Sequence, residues 1–122
     1  MPTVVMLFAL LSPSADPVLG PAAARGKVGS KVTVEMTVKA AKDRLEKHGE
    51  IYLDAEEDFR SPDNFAIVIT KAGAGRFQEA GVKDPAAHFK GKKVRATGTV
   101  KEKDKVPRIE IDDPTQLRVE TP

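Results

Sequence analysis

The sequence predicts an all-β domain, a five-stranded barrel with one short helical segment between the third and fourth strands. Three observations predict it: short segments in which apolar residues alternate with polar ones, turn-forming residues between these segments, and helix-capping signals in one stretch only. The chain has 122 residues and no cysteine. It therefore has the length of one domain and cannot carry disulfides or cysteine metal sites.

The first two strands are predicted from their alternation. Residues 32–38 read VTVEMTV, with an apolar side chain at every second position, which is typical of a strand with one buried face. Residues 42–49 are polar and end in glycine. We interpret them as a long exposed hairpin loop rather than one helical turn. In residues 50–53, Ile51 and Leu53 face the core and Tyr52 faces outward.

The third strand is the most apolar segment of the domain. Residues 65–70 read FAIVIT, and we expect Phe65, Ile67 and Ile69 on the core face. An acidic loop over residues 54–63 precedes this strand, and the turn sequence Ser-Pro-Asp-Asn follows at residues 61–64. This pattern predicts a buried central strand after a solvated loop.

Helical signals follow the third strand. Gly73 and Gly75 are expected to break the strand, after which residues 76–80 form a short helix. Asp84 and Pro85 have the N-cap and first-turn preferences of a second helix, with Gly91 beyond its end. Three apolar side chains of this region should face the core: Phe77, Val82 and Phe89.

Two more strands complete the predicted order. Residues 94–101 alternate, and Gly98 on the inward side predicts a bulge or sharp coil. Residues 102–105 form a charged hairpin, and residues 108–111 form the last strand. A helix between strands three and four of five is the order of the oligonucleotide/oligosaccharide-binding (OB) barrel. An SH3-like barrel and a small open α+β sheet are the alternatives.

The N-terminal segment differs from the rest. Residues 4–11 are an unbroken apolar run, shorter than the roughly 20 residues that span a bilayer. The run fits the core of a signal peptide, and small residues follow it at 12–14 and 22–24. We therefore predict a leader and Pro/Ala-rich linker over residues 1–26 and an OB domain over residues 27–122. Export to the periplasm or outside the cell is expected, without stable membrane insertion after processing. If the start is mis-assigned, the protein is cytoplasmic.

Several segments together resemble small bacterial OB-fold domain proteins of the nucleic-acid-binding type. They include Asp58-Phe59-Arg60, Asn64-Phe65 at the start of the central strand, and GKKVR leading into TGTV at residues 91–100. The final segment IEIDDP at residues 109–114 completes the resemblance, which covers about three quarters of the chain. It implies the fold and, as an expectation, a nucleic-acid ligand.

Lysine-rich loops predict where a ligand would bind. OB barrels bind ligands across strands two and three, between the loops that join strands 1–2 and 4–5. Both loops are rich in lysine, but acidic residues are interleaved with them, as on an ordinary soluble surface. Tyr52 is the one aromatic predicted to face outward on this surface, where it can stack on a base. The candidate ligand-binding residues are Lys39, Arg44, Tyr52, Arg95, Lys103 and Lys105.

The sequence shows no catalytic signature. His48 and His88 lie 40 positions apart, and no serine stands in a nucleophile-elbow sequence. The acidic residues 54–63 do not have the spacing of an EF-hand. We therefore predict no enzyme activity, no catalytic residue, no metal site and no cofactor. A metal-binding domain that uses this acidic loop is kept as an alternative.

The function predicted from the sequence is that of a small non-enzymatic OB-fold binding module, which we expect to be a monomer. Single-stranded nucleic acid is the most specific candidate partner, because phosphates can contact both lysine-rich loops. The alternative is an exported structural or protein-interaction domain of the cell envelope that uses the same face. A net charge of only +2 gives no global attraction to nucleic acid, so any attraction must be local.

Overall fold

The computed structural model describes residues 17–120, and this part of the chain is mostly β. It contains eight strands: β1 (Val18–Leu19), β2 (Lys31–Thr37), β3 (Ala40–Arg44), β4 (Glu50–Asp54), β5 (Ala66–Thr70), β6 (Lys93–Lys103), β7 (Val106–Ile111) and β8 (Leu117–Val119). Four short helices accompany them: α1 (Pro21–Arg25), α2 (Leu45–His48), α3 (Lys71–Glu79) and α4 (Pro85–Phe89). A single 3₁₀ turn, Pro114–Gln116, precedes β8. No helix within residues 17–120 has the length and apolarity needed to span a bilayer.

The eight strands form one mixed sheet in the order β1-β2-β6-β7-β5-β4-β3, and β8 pairs with β6. The β1–β2 and β5–β7 pairs are parallel, and the other pairs are antiparallel. The parallel β5–β7 pair needs a long connection, which here contains α3, α4 and β6. The predicted position of the helical segment, after the central strand, is confirmed.

Only Val38 and Lys39 separate β2 from β3. The backbone N–H of Val38 donates to the Lys92 carbonyl at 2.9 Å, and that of Lys39 donates to the Asp54 carbonyl at 2.9 Å. Because these acceptors lie next to β6 and at the end of β4, the chain moves from one neighbour to the other within two residues. The alternation through residue 38 thus ends at the point where the chain changes its pairing partner from β6 to β4.

The core lies on one face of the strands, as the alternation predicts. Val32, Val34 and Met36 of β2 are buried, and so are Ile51 and Leu53 of β4. The predicted core residues Phe65, Ile67 and Ile69 are fully buried, and Phe77 and Phe89 cover the core from α3 and α4. The β5 strand is buried on both faces, since Ala66 and Val68 have almost no exposed surface either. Side chains on the face of the sheet away from the core must therefore cover Ala66 and Val68 of β5.

Residues 42–49 are not the long hairpin loop predicted from the sequence. Residues 40–44 form β3, which pairs with β4, and Leu45–His48 is a helical turn. Asp43 accepts from the backbone N–H of Leu45 at 3.0 Å, and Gly49 ends the turn with φ of 70°. Residues 40–44 lack the alternation of apolar and polar side chains, so this edge strand could not be recognised from the sequence.

The prediction that Gly73 and Gly75 break the central strand is wrong, because β5 already ends at Thr70. Helix α3 begins directly after β5 at Lys71, so Gly73 and Gly75 lie inside it rather than before it. Thr70 is the N-cap, and its hydroxyl accepts from the N–H of Gly73 at 3.1 Å. The second helix begins as predicted, because Asp84 accepts from the N–H of Ala87 and Pro85 occupies the first turn.

Gly98 does not mark a bulge. Residues 93–99 of β6 pair with β2 in continuous register. A Cβ atom at residue 98 would lie 2.9 Å from Cγ2 of Ile109. The glycine therefore allows close packing against β7, and the register with β2 shows no bulge.

The described part of the predicted linker is structured. Val18 and Leu19 pair with β2, and α1 places Ala24 in the core with no exposed surface. Residues 18–25 therefore pack against the domain, whereas the sequence predicted that the folded part starts near Lys27. The predicted leader sequence at residues 4–11 lies outside the described residues, and export stays a prediction.

Candidate functional site

A groove of about 400 Å³ crosses the face of the sheet opposite the core. This volume is within the usual range of about 300–1,000 Å³ for ligand sites. Its floor is formed by outward side chains of β3, β4, β5 and β7. Three segments form its walls. The α2 region contributes Arg44 and His48, the acidic loop and the residue after it contribute Phe59 and Asn64, and the β6–β7 hairpin contributes Lys103 and Asp104.

The β6–β7 hairpin is a two-residue turn. Lys103 pairs with Val106, and Asp104 and Lys105 between them have φ of 52° and 66°. Positive φ at both central residues is the geometry of the type I′ turn, which matches the twist of the two strands. The turn places Lys103 and Asp104 at one rim of the groove, opposite Arg44 and the end of α2.

A hydrogen-bonded group of side chains lies on the groove floor. The Tyr52 hydroxyl donates to Oε1 of Glu50 at 2.7 Å, and Arg108 pairs with the other oxygen of Glu50. Arg108 also lies 3.4 Å from Glu110, and only 5% of the residue is exposed. Because Tyr52 and Glu110 are the register partners of Val68 on its two sides, this group borders the outer face of β5.

The contacts within this group shift two pKa values. Burial acts to raise the pKa of Glu50, but the hydrogen bonds from Tyr52 and Arg108, together with the charges of Arg108 and Lys103, outweigh it, so the pKa is lowered. Burial, and then the hydrogen bond to Glu50, raise the pKa of Tyr52 to about 12. The Glu50 carboxylate is thus held ionised and the Tyr52 hydroxyl protonated.

We expect Tyr52 to titrate near pH 12 rather than 10. Since the folded state holds this proton more tightly, its contribution to stability is present below pH 10 and is lost as pH rises through 12. The chain has one tyrosine and no tryptophan, so phenolate absorbance reports Tyr52 alone. Glu50→Gln should move the midpoint back toward 10. A wild-type midpoint near 10 would show that the hydroxyl is solvated instead.

Phe59 is the groove residue that the sequence analysis missed as a ligand contact. Its side chain is 47% exposed, the Nζ atom of Lys42 lies 4.2 Å from its ring centroid, and the guanidinium carbon of Arg60 lies at 5.8 Å. An exposed phenylalanine with cations on its ring has the composition of a base-stacking surface. The available signal was a phenylalanine within a charged turn, between Asp58 and Arg60.

Asp54, at the start of the acidic loop, and Asn64, directly after its end, form a buried pair. The amide nitrogen of Asn64 donates to Oδ1 of Asp54 at 3.0 Å, and the amide oxygen of Asn64 accepts from the N–H of Glu56 at 3.0 Å. Burial raises the pKa of Asp54, against the hydrogen bond from Asn64 and the charge of Lys42, which lower it. Both residues line the groove and are almost fully buried.

The structure brings together three of the six predicted ligand-binding residues. Arg44, Tyr52 and Lys103 line the groove. Lys39 lies outside its lining and is 3.9 Å from Glu56.

Arg95 and Lys105 also lie apart from the groove lining. Arg95 projects from β6 and pairs with Glu35 at 2.8 Å and Glu120 at 3.3 Å. Lys105 is at the tip of the β6–β7 turn. Lys42 and Arg108 also line the groove, and neither was predicted from the sequence as a ligand contact.

The acidic loop does not gather a metal ligand set. Within residues 17–120, no group of three His, Asp or Glu side chains is arranged to hold a metal ion. Asp58 pairs with Arg60 at 3.1 Å, which holds the pKa of Asp58 below its ordinary value. The metal-binding alternative therefore has no support from the described residues.

Comparison with solved structures shows a likeness of fold. OBody AM1L10 bound to hen egg-white lysozyme has a TM-score of 0.57 at 11% identity, over 91% of this chain and all of that one. A putative aspartyl-tRNA synthetase of Leishmania major has a TM-score of 0.54 at 8% identity, over 94% of this chain. Asparaginyl-tRNA synthetase of Entamoeba histolytica has a TM-score of 0.52 at 16% identity, over 88% of this chain. The domain is OB-fold-like.

The likeness to the synthetases is partial. This chain spans 22% of the Leishmania protein and 25% of the Entamoeba protein. The N-terminal domains of such synthetases are OB-folds. Neither the protein-family models nor the curated proteins give a match to the sequence.

Proposed function

We propose that the chain is a non-enzymatic binding module that holds single-stranded nucleic acid in the groove. The observation that carries the proposal is Phe59, an exposed ring in contact with Lys42 inside a groove that also contains Arg44, Lys103 and Arg108. Aromatic rings stack on bases of any sequence, and cations contact phosphates. The chain combines both in one groove although its overall charge is nearly balanced.

We also propose that the sheet is a five-stranded OB barrel in which β2 and β3 act as one bent first strand. The two-residue junction between them and the parallel β5–β7 pair support this assignment. The second to fifth strands would then be β4, β5, β6 and β7. In this barrel the groove lies between the loops joining strands 1–2 and 4–5, where OB-folds bind their ligands. The likeness to two synthetases that carry OB-folds is compatible with this use of the face.

The test is the binding of the 122-residue chain to a fluorescein-labelled dT oligonucleotide, followed by anisotropy over a range of salt concentrations. With three phosphate contacts, from Lys42, Arg44 and Lys103, the plot of log K against log[salt] should have a slope of about −2. Phe59→Ala should weaken binding by about 1–3 kcal/mol without changing the slope, because stacking releases no counterions. Lys103→Ala should reduce the slope by about 0.7.

The matched control is Lys83→Ala, which removes an exposed lysine outside the groove. It should leave both the affinity and the slope unchanged. Equal losses of affinity from Lys83→Ala and Lys103→Ala would show that the oligonucleotide is attracted by the positive charge of the whole surface and not by the groove. No binding at low salt would exclude nucleic acid as the ligand.

A protein partner is the second candidate for the same face. The OBody matches over its full length and is bound to lysozyme, so a domain of this fold can hold a protein. The exposed Phe59 is also suited to a protein interface, in which aromatic residues are enriched. Export, as predicted from the apolar run, would favour this candidate. Failure of oligonucleotide binding makes it the working function.

A further inference from the structure

One buried amide ties together the loop that carries the exposed ring of Phe59. Asn64 directly follows this loop and is only 2% exposed. Its amide oxygen accepts from the N–H of Glu56 at 3.0 Å, and its amide nitrogen donates to Oδ1 of Asp54 at 3.0 Å and to the carbonyl of Phe59 at 3.4 Å. A single side chain thus connects the end of β4, the start of the loop and the backbone of residue 59.

Hydrogen bonds within the loop hold the backbone on the C-terminal side of Phe59. The N–H of Ser61 donates to the Asp58 carbonyl at 3.0 Å, and the Ser61 carbonyl accepts from the N–H of Asn64 at 3.0 Å. The N–H of Arg60 donates to Oδ1 of Asp58 at 2.9 Å. Loops are ordinarily more mobile than the elements they connect, but this one is closed by its own turns and joined to β4 through Asn64.

The Phe59 side chain projects from this fixed backbone into the lining of the groove. The side chain is 47% exposed, and Nζ of Lys42 lies 4.2 Å from the ring centroid. A side chain that is held in place before its ligand arrives loses less conformational entropy on binding than a mobile one. The amide that holds the backbone of Phe59 can therefore affect affinity without contacting the ligand.

We propose that Asn64 is a positioning residue, which holds Phe59 in the orientation in which a base stacks on its ring. The stacking part of this inference rests on the proposed function, whereas the hold of Asn64 on the loop does not. Asn64 acts through Phe59, so its effect on binding should exist only while the ring is present.

The test is a double-mutant cycle in the 122-residue chain, in which Asn64→Ala, Phe59→Ala and the double variant bind the labelled dT oligonucleotide. Asn64→Ala alone should weaken binding about 2- to 12-fold, the equivalent of ordering one additional side chain on binding. In the Phe59→Ala background it should have no effect, because no ring remains to be held. The salt slope should not change, since neither asparagine nor alanine carries a charge.

The matched control is Gln116→Ala, which removes a comparable amide outside the groove lining. The oxygen of Gln116 accepts from two backbone N–H groups at 2.8 and 3.1 Å, and its nitrogen donates to two backbone carbonyls at 3.1 and 3.2 Å. Both alanine variants should lower stability, because each leaves backbone groups without their partner. Only Asn64→Ala should lower the affinity. Equal losses of affinity from the two variants would show that reduced stability, and not the position of Phe59, weakens binding.

A measurement without ligand tests the hold of Asn64 directly. The chain has no tryptophan, so the indole of the Phe59→Trp variant reports this position alone. Its fluorescence anisotropy should decay with the rotation of the whole protein, and the addition of Asn64→Ala should introduce a faster local motion. If Asn64→Ala does not fold, the single variant still decides, because an indole that moves freely beside an intact Asn64 would overturn the inference.

The outcomes separate this inference from the proposed function. Equal weakening by Asn64→Ala with and without the Phe59 ring would overturn the positioning role while leaving single-strand binding intact. An unchanged affinity of the Asn64→Ala variant would overturn it in the same way. No binding by the wild-type chain at low salt would overturn the proposed function, and the indole measurement alone would then decide whether Asn64 holds Phe59.

Discussion

Phe89→Ala should lower the free energy of unfolding by about 3–5 kcal/mol, as truncation of a buried phenylalanine does. Phe89 is 2% exposed at the end of α4. Its ring meets that of Phe77 edge to face, with centroids 5.5 Å apart, and α4 contacts β3 and β4. Alanine would remove the ring contact and leave a cavity that the strands cannot close. Urea unfolding of the variant and the wild type measures the loss.

His88→Ala is the matched control for this prediction. His88 is exposed on the same helix, and its ring lies 4.7 Å from that of Phe89. Removal of this exposed side chain, with its one edge-to-face ring contact, should cost about 1 kcal/mol or less, well below the loss for Phe89→Ala. A near-neutral Phe89→Ala variant would mean that α4 does not cover the core in solution.

The sequence predicted the parts of the fold that depend on side-chain periodicity. Burial of alternate residues in β2 and β4 follows from the two-residue repeat of a strand. Burial of β5 follows from its continuous run of apolar residues. The start of α4 followed from a local cap, Asp84 before Pro85. Both signals are contained in a few neighbouring residues.

The errors came from segments whose structure depends on distant contacts. The polar β3 lacks two-residue alternation and is a strand because β4 offers it a pairing edge. Helix α1 was taken as part of a linker, since only tertiary packing shows that Ala24 is in the core. In each case the local pattern was weak and long-range pairing decided the structure.

Only the part of the candidate site that depends on local patterns could be predicted from the sequence. Alternation placed Tyr52 outward, and the fold's loop positions indicated Arg44 and Lys103, all of which line the groove. Phe59 was missed because a loop has no periodicity from which to predict the direction of its side chain. Arg95 was selected for its charge, but Glu35 and Glu120 already pair with it on another part of the surface.

Gly73 shows how a distant contact can require a glycine that the sequence predicted only as the end of a strand. A Cβ atom at this position would lie 2.2 Å from the carbonyl oxygen of Ile111 and 3.3 Å from Cα of Asp112. The same carbonyl accepts the Thr70 hydroxyl at 3.1 Å, so it is fixed by the N-cap of α3. The close approach of α3 to the end of β7 therefore requires glycine at residue 73.

Gly73→Ala should destabilise the protein by about 1–3 kcal/mol or more, because overpacking against fixed backbone forces the helix or the strand to move. The matched control is Gly75→Ala in the same helix, where an added Cβ would meet nothing within 4 Å. That substitution should stabilise the protein by about 0.5–1 kcal/mol, the usual gain of alanine over glycine in a helix. Thermal and urea unfolding of both variants measure whether the two substitutions change stability in opposite directions. If both stabilise equally, α3 does not pack on Ile111, and the connection between β5 and β7 must be arranged differently.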